Sequence, residues 1–294
     1  MSLETAVQVR PLTGHVGAEI FGVNATEMTD ETVAAIRAAL LKYKVVFMRG
    51  QSLEYEDLVT YGSLFGELTP GHPIYKPPAN QPHVREMDSA GVGTRANYWH
   101  TDLTFVAAPP AFAILHNIVC PDVGGDTIWA NTAAAYRDLP DDLRAMADRM
   151  RIVHSNDSDY TSATYAHTPA ARLEYIERDI SAEHPAVRVH PETGERSLLL
   201  GGFARSVVGH RPRAGRELIS VLEEYATQPE YTVRWKWQVG DLVMWANQST
   251  MHYAVYDYGQ AHRRAIRVTV VGQPTVGIDG VPGSGSTNAG GGFD

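Results

Sequence analysis

Residues 112–130 read FAILHNIVCPDVGGDTIWA, two apolar runs separated by a turn-forming segment. The runs are Phe112–Val119 and Thr127–Ala130, and both contain residues that favour extended chain. Proline, aspartate and two adjacent glycines lie between them, a composition typical of a chain reversal between strands. This stretch therefore predicts two short β-strands joined by a turn.

The same alternation of short strands and turns continues on both sides of this stretch. Helices are predicted from a cap at Thr29 through Tyr43, and at Leu58–Phe65, Thr132–Met150 and Ala214–Thr227. Many short strands with a few helices predict a mainly β fold with flanking helices, a β-sandwich or jelly roll. The further predicted strands lie within Val7–Ile20 and at Val45–Phe47, Val187–His190, Leu198–Leu200, Val233–Trp237, Leu242–Trp245 and Ile266–Val271.

A single folded domain is expected over residues 1–273, since no repeat or change of composition divides it. Residues 155–185 are rich in Ser, Asp, Tyr, Thr and His, and we interpret them as a possible lid insertion. Residues 274–294 include VPGSGSTNAGGGFD at 281–294, which has too little apolar area to offset its ordering entropy. They are therefore expected to form a flexible tail.

The composition restricts the expected partners. The net charge is −9 and there is no basic tract, so a nucleic-acid substrate is disfavoured. The single cysteine, Cys120, excludes an intrachain disulfide and a cysteine-based zinc cluster. No segment resembles a signal peptide or an unbroken membrane span, so a cytoplasmic protein is expected.

Residues 99–102, WHTD, are the sharpest chemical feature of the sequence. On a strand, residues two apart point to the same face, roughly 7 Å apart at the backbone. His100 and Asp102 could therefore converge on one metal ion. A hydrogen-bonded His–Asp pair at a strand end is the alternative interpretation.

Two further features lie downstream. His252 ends the segment MWANQSTMH at 244–252 and could complete a two-histidine, one-carboxylate set that leaves open positions on a ferrous ion. Taken alone, it is more typical of a structural histidine. Arg263 and Arg267 share one face of a predicted strand and could bind two anions near a metal, or could form a solvated basic edge.

In combination, these segments resemble the taurine dioxygenase (TauD/TfdA) family, whose members are Fe(II)- and 2-oxoglutarate-dependent oxygenases. The resemblance extends from about Val7 to Gly272. It implies a double-stranded β-helix (jelly-roll) core. The segments that carry it are WHTD at 99–102, GGDTIWAN at 124–131, HPAVRVHPETGER at 184–196, MWANQSTMH at 244–252 and the Arg263/Arg267 pair.

The resemblance also implies roles for individual residues. His100, Asp102 and His252 would be the iron ligands. Arg263 would bind the distal carboxylate of 2-oxoglutarate, and the hydroxyl of Thr127 would donate to the same group. No catalytic residue is expected beyond the metal ligands.

On the substrate side, the resemblance implies that His72, Arg267 and Phe203 bind the primary substrate, with Arg267 facing its anionic end. Two positions depart from the pattern. Ala246 replaces the usual aspartate of Trp-Asp-Asn, which we interpret as a change in the groups that support the metal ligands. Ala96 stands where the taurine enzyme has asparagine, so the chain looks closer to the alkyl sulfate and sulfonate dioxygenases.

The resemblance therefore implies hydroxylation of a small or medium anionic substrate, with O2 as the second substrate. For an alkyl sulfonate or sulfate, the products would be an aldehyde plus sulfite or sulfate, with succinate and CO2. The same chemistry on an aryloxyalkanoate or another carboxylate is an alternative, and a non-catalytic metal-binding jelly roll is a further one. Self-association as a homo-oligomer, a dimer or tetramer, is also implied.

Overall fold

A computed structural model describes residues 7–72, 77–90, 96–156 and 180–285 of the chain. Its helices are α1 (Asp30–Tyr43), α2 (Tyr55–Ser63), α3 (Thr132–Arg137), α4 (Asp141–Ala147) and α5 (Pro212–Ala226), with a 3₁₀ turn at Pro229–Tyr231. Its strands are β1 (Gln8–Pro11), β2 (Ala18–Phe21), β3 (Val45–Met48), β4 (Arg85–Asp88), β5 (Phe112–Val119), β6 (Thr127–Asn131), β7 (Arg151–Ser155), β8 (Ser181–Pro185), β9 (Val187–Val189), β10 (Arg196–Leu198), β11 (Ala204–Val207), β12 (Thr232–Trp235), β13 (Leu242–Ala246), β14 (Thr250–Ala254), β15 (Arg264–Val270) and β16 (Ser284–Gly285).

Two sheets form the centre of the fold. The larger has seven strands in the order β1-β2-β3-β13-β5-β15-β4, and the smaller has three in the order β12-β6-β14. An aromatic-rich cluster that includes Phe47, Trp129, Trp235 and Trp245 joins the facing sides of the two sheets. The predicted mainly β fold with flanking helices is confirmed.

The central strands of the larger sheet are buried on both faces. On β13, Met244 packs into the cluster that α1 and α2 cover, whereas Trp245 packs toward the smaller sheet. The same alternation on β15 places Ile266 on the helical side and Ala265 on the inner side. Inward-facing residues of β15 therefore reach the space between the sheets.

The helix predictions are confirmed for α1, where the Thr29 hydroxyl accepts a hydrogen bond from the backbone of Thr32 at the N-terminus. The single helix predicted at Thr132–Met150 is wrong, because α3 and α4 are separate. Pro140 lies between them, and proline cannot continue a helix ladder. No helix in the described part of the chain is long and apolar enough to span a membrane.

In the described part of the predicted tail, residues 274–285, most residues are exposed, but specific contacts tie the segment to the rest of the fold. Thr275 is buried and its hydroxyl lies 2.6 Å from His184 Nδ1, and β16 pairs with β8. Backbone hydrogen bonds hold this segment despite its few apolar side chains, which composition alone does not reveal. Residues 286–294 lie outside the described residues.

The predicted lid at 155–185 lies mostly outside the described residues, which omit 157–179. Its two ends are described, and they belong to the four-stranded sheet β11-β7-β8-β16. Ser155 closes β7 and residues 181–185 form β8, so these ends are part of a sheet and not of an insertion.

Candidate active site

A cavity of about 130 Å³ lies between the two central sheets. Residues from both sheets and from the segment before β5 line it. The structure brings all eight predicted site residues to this one cavity, although they are spread over nearly 200 positions of the chain. They are His72, His100, Asp102, Thr127, Phe203, His252, Arg263 and Arg267.

The two histidines face each other across an antiparallel bridge. The His100 backbone N–H donates to the His252 carbonyl at 3.0 Å, and the His252 N–H donates back at 2.8 Å. The ring centroids are 4.0 Å apart. Because His252 lies within β14, the sheet ladder fixes both imidazoles side by side at the cavity wall.

Asp102 reaches the same point by a turn, not by the strand that the sequence predicts. Among residues 99–102, only His100 forms a β-bridge. The chain turns at Asp102, and the next residue, Leu103, has a left-handed φ of 54°. Asn247 holds this turn: its Oδ1 accepts from the Asp102 N–H at 2.9 Å, and its Nδ2 donates to the Asp102 carbonyl at 3.1 Å. The buried Asn247 amide thus makes the backbone hydrogen bonds to Asp102 that a neighbouring strand would otherwise make.

The geometry at this point suits a metal ion. One ligand atom from each of His100, Asp102 and His252 lies within 4.8 Å of the others. The Tyr98 carbonyl lies 2.8 Å from His100 Nδ1, so in the neutral ring that nitrogen carries the proton and Nε2 keeps its lone pair for a metal. Asp102 Oδ2 is buried and has no hydrogen-bond partner among the described residues.

The charges around this cluster keep the ligand atoms in their metal-binding states. Burial lowers the pKa of His252 far below its ordinary value, and the neighbouring His100 lowers it further, so the imidazole is neutral. Burial alone would raise the pKa of Asp102. The charge of Arg267, whose Nη1 donates to Asp102 Oδ1 at 2.9 Å, is the largest of the effects that instead hold this pKa well below its usual range.

Gly201 forms a second β-bridge to His100, and its lack of a side chain permits the two backbones to lie close together. Its φ is 105°, and a Cβ on Gly201 would lie 2.7 Å from the His100 Cα. The adjacent Gly202 donates to the Trp99 carbonyl at 2.8 Å. A side chain at 201 would therefore displace the backbone of His100.

Thr127 and Arg263 line the same cavity as the histidines. The Thr127 hydroxyl accepts from Trp237 Nε1 at 2.9 Å, which leaves its own proton free to be donated into the cavity. The Arg263 guanidinium lies 5.9 Å from the Trp237 ring, and burial lowers its pKa. Trp237, which the sequence analysis names only as the end of a predicted strand, therefore orients the hydroxyl of a predicted site residue.

His72, Arg267 and Phe203 also line the cavity. His72 is buried, and Phe203 packs edge-on against Tyr98 with 6.1 Å between ring centroids. Sequence reasoning did not find Arg85, which also lines the cavity. Its strand, β4, was not predicted, so nothing in the pattern indicated which way Arg85 faces.

The Ala246 departure does not alter the support of the metal ligands. Ala246 is buried in the cluster on the helical side of the larger sheet, whereas Trp245 faces the cavity. The neighbouring Asn247 supplies the support instead. Our interpretation of Ala246 is therefore wrong, because residue 246 points away from the site.

The chain was compared with known proteins. Residues 8–270 match the family described as "Taurine catabolism dioxygenase TauD, TfdA family". An "Alkylsulfatase" of Acinetobacter baylyi is 44% identical over 94% of this chain and 89% of its own length, and an "Alpha-ketoglutarate-dependent sulfate ester dioxygenase" of Pseudomonas putida is 44% identical over 93% and 92%. The crystal structure of a taurine dioxygenase from Burkholderia xenovorans superposes with a TM-score of 0.83 at 40% identity, covering 96% of this chain and 97% of that one.

The chain belongs to the TauD/TfdA family of dioxygenases. The jelly-roll core that the resemblance implies is confirmed. The predictions of a 2-oxoglutarate-dependent dioxygenase, and of Fe(II) and 2-oxoglutarate as its cofactor and co-substrate, are confirmed as well.

Proposed function

We propose that this enzyme hydroxylates an alkyl sulfate ester, or the related sulfonate, at the carbon next to the anionic group. The observation that carries the proposal is the buried cluster of His100, Asp102 and His252 at the wall of a cavity that also contains arginines. Two relatives at 44% identity support it, since their names are "Alkylsulfatase" and "Alpha-ketoglutarate-dependent sulfate ester dioxygenase".

In this proposal, His100 Nε2, a ring nitrogen of His252 and Asp102 Oδ2 hold Fe(II). Arg263 binds the distal carboxylate of 2-oxoglutarate bidentately, because its planar guanidinium matches a carboxylate and stays charged when partly buried. The Thr127 hydroxyl, oriented by Trp237, donates to the same carboxylate. These contacts fix the co-substrate in one orientation.

Arg267 and His72 bind the sulfo group, and Phe203 covers the alkyl chain. When bound, Fe(II) with 2-oxoglutarate supplies activation of O2 for hydroxylation of a C–H bond, with succinate and CO2 as co-products. The protein contributes orientation, since Arg267 is anchored to Asp102 and so places the substrate head beside the ligand cluster. Hydroxylation at the carbon bearing the ester oxygen gives an adduct that breaks down to an aldehyde and sulfate.

The proposed reaction predicts stoichiometric products. We expect the protein with Fe(II), ascorbate, 2-oxoglutarate and a linear C6 alkyl sulfate to release succinate, aldehyde and inorganic sulfate in equal amounts. Ion chromatography and succinate assay measure this. Succinate release without any sulfate or sulfite, across a panel of alkyl sulfates and sulfonates, would contradict the proposed substrate class but not the dioxygenase chemistry.

The carboxylate alternative uses the same cavity. An aryloxyalkanoate presents a carboxylate that Arg267 alone could bind. Phenol release from an aryloxyacetate, measured in the same panel, distinguishes it. We expect this release to be much slower than sulfate release at equal concentration.

A change at Thr127 tests the proposed 2-oxoglutarate contacts. Thr127→Val keeps the shape and removes one donor to a charged group, so we expect the KM for 2-oxoglutarate to rise roughly 10-fold. Thr232→Val, at the far end of the paired strand β12 and outside the cavity, is the control. An unchanged KM in Thr127→Val would remove Thr127 from the proposed site.

We further propose that the enzyme is a cytoplasmic homo-oligomer, a dimer or tetramer, acting on a small anionic substrate and O2. Support for self-association comes from the family resemblance. Light scattering coupled to size-exclusion chromatography measures the mass directly, and a mass of one chain at micromolar concentration would contradict it.

A further inference from the structure

The loop 255–263 joins β14 to β15 and borders the cavity. β14 carries His252, so the loop begins close to a proposed metal ligand and ends at the first residue before β15. The loop side chains that line the cavity are Val255, Tyr256, Tyr258 and Arg263. The position of this loop therefore decides where the Arg263 guanidinium is presented.

Hydrogen bonds attach this loop to the turn between β5 and β6. The Val255 N–H donates to the Asp126 carbonyl at 2.8 Å. Asp257 Oδ1 accepts from the Gly125 N–H at 2.8 Å. Thr127 is the first residue of β6 and follows directly on this turn. The loop is thus tied to the same turn from which Thr127 starts.

The two glycines of the GGDTIWAN segment give the turn the shape that this contact requires. Gly124 and Gly125 both have a left-handed φ, 82° and 75°. A Cβ on Gly124 would lie 2.5 Å from Asp257 Oδ1, so a side chain there would push the carboxylate away. A Cβ on Gly125 would lie 3.3 Å from Tyr258 Cδ1 and 3.5 Å from Arg263 Cδ. The loop therefore packs directly on the backbone of the turn.

Arg234 adds a cation beside the Asp257 carboxylate, but this ion pair is weak. Its Nη2 lies 3.8 Å from Asp257 Oδ2. The side chains of Arg234 and Asp257 are 54% and 46% exposed, so water screens the attraction between them. The hydrogen bond from the Gly125 N–H is shorter and directional, and its acceptor is a carboxylate. It is the contact to which we assign the position of the loop.

The main chain of Arg263 has a separate anchor. Its N–H donates to the Ser89 hydroxyl at 2.8 Å, and its carbonyl accepts from the Ser89 N–H at 2.9 Å. This anchor holds the backbone of residue 263, whereas the stem of its side chain lies against Gly125. Loss of the Asp257 contact should therefore shift the Arg263 side chain without releasing β15.

We propose that Asp257 is a positioning residue for the co-substrate, because its bond to Gly125 holds Arg263 in a fixed position relative to Thr127. The inference rests on the proposed function, which assigns Arg263 and Thr127 to the same carboxylate of 2-oxoglutarate. These two donors come from different elements, since Thr127 lies on β6 and Arg263 lies in the loop. A carboxylate bound by both is held firmly only if the two elements stay in register.

Calorimetric titration of 2-oxoglutarate into the Fe(II)-loaded protein without O2 measures this role. We expect Asp257→Ala to raise the Kd for 2-oxoglutarate roughly 10-fold, the lower end of the range for a hydrogen bond to a charged group, because the carboxylate is half exposed. Asp257→Asn keeps an acceptor oxygen for the Gly125 N–H and should recover most of the affinity. In turnover, the KM for 2-oxoglutarate should rise while kcat stays within about twofold of wild type.

Hydrogen exchange of the metal-free proteins reports on the contact itself, without co-substrate or turnover. The Gly125 amide loses its acceptor in Asp257→Ala, and the Val255 amide lies in the released loop. We expect both amides to exchange faster than in wild type, while the amides of the buried strand β13 keep their rates. Unchanged exchange at Gly125 and Val255 would overturn the inference.

Asp279→Ala is the matched control. Asp279 Oδ1 likewise accepts from a backbone N–H in an exposed turn, that of Val281 at 2.9 Å, and Asp279 does not line the cavity. The same kind of contact is therefore lost elsewhere, and the Kd for 2-oxoglutarate should stay within about twofold of wild type. An equal loss of affinity in Asp257→Ala and Asp279→Ala would overturn the positioning role.

Arg263→Leu separates this inference from the proposed function. Wild-type affinity for 2-oxoglutarate in Arg263→Leu would contradict the contact that the proposed function assigns. A loss of affinity in Arg263→Leu, combined with faster exchange but wild-type affinity in Asp257→Ala, would overturn this inference alone. Neither the titration nor the exchange experiment uses the primary substrate, so a failure to release sulfate leaves the test intact.

Discussion

Replacement of His252 by alanine is expected to lower 2-oxoglutarate turnover on the order of 1,000-fold or more. This exceeds the roughly 10- to 100-fold that loss of an outer partner of a metal ligand costs. The side chain contributes one of three ligand atoms, and its imidazole is buried and neutral, so the chain offers no substitute within reach among the described residues. Succinate release under saturating Fe(II) measures the loss, and retained activity would remove His252 from the ligand set.

The comparison with Asp102→Ala sharpens this prediction. Asp102 is both a proposed ligand and the carboxylate bound to buried Arg267. Both variants should lose Fe(II) binding, but Asp102→Ala also leaves a buried cation without its partner. That loss costs about 3–5 kcal/mol of the free energy of unfolding in comparable buried pairs.

Urea unfolding of the metal-free proteins tests the difference. We expect His252→Ala to unfold near the wild-type midpoint and Asp102→Ala at a clearly lower urea concentration. Asp102→Asn, which keeps the shape and one acceptor oxygen, should lie between them. Equal midpoints for all three variants would show that the Arg267 contact contributes little to the apoprotein.

The sequence predicted long apolar strands better than short or polar ones, and it missed β14, which carries His252. β5 was predicted with its observed bounds, because a long apolar run bounded by proline is unambiguous. Strand β4 was missed, because its sequence, REMD, shows no apolar alternation. It is an edge strand that pairs only with β15. A polar edge strand is defined by its neighbour, which a single sequence does not show.

A single sequence also shows some residues of the candidate site and not others, for the same reason. The histidines and Asp102 were predicted from residue type and spacing, since metal ligation restricts the chemistry to a few side chains. The roles of Trp237 and Asn247 depend on contacts across 110 and 145 positions of the chain, to Thr127 and to Asp102. Supporting residues of this kind have no local pattern, because any donor or acceptor at the right point in space would serve.

Asn247→Ala is expected to have the second largest effect, although Asn247 touches neither metal nor substrate. The variant removes the partner of the Asp102 N–H, of the Asp102 carbonyl and of the Pro110 carbonyl, which accepts from Nδ2 at 3.0 Å. Asn247 is fully buried, so water does not replace these contacts. Each group left unpaired costs about 1–3 kcal/mol, so we expect several kcal/mol of lost stability.

The effect on Fe(II) should separate a positioning role from a purely structural one. The turn at Asp102 loses both backbone anchors in Asn247→Ala, so the carboxylate is held less firmly and the affinity for Fe(II) should fall about 10- to 100-fold. Asn247→Asp keeps the acceptor for the Asp102 N–H but loses the donor to both carbonyls, and should recover only part of this affinity. Anaerobic calorimetric titration with Fe(II) below the melting temperature of every variant measures it.

Ser249→Ala is the control for this experiment. Ser249 is buried in the same loop, and its hydroxyl makes no hydrogen bond to any described residue. Its removal deletes a polar atom that already lacks a partner, so the stability and the Fe(II) affinity should stay close to wild type. Asn247→Ala could lose stability while its Fe(II) affinity matches that of Ser249→Ala. In that case Asp102 is presented to the metal correctly without the Asn247 amide, and Asn247 has a purely structural role.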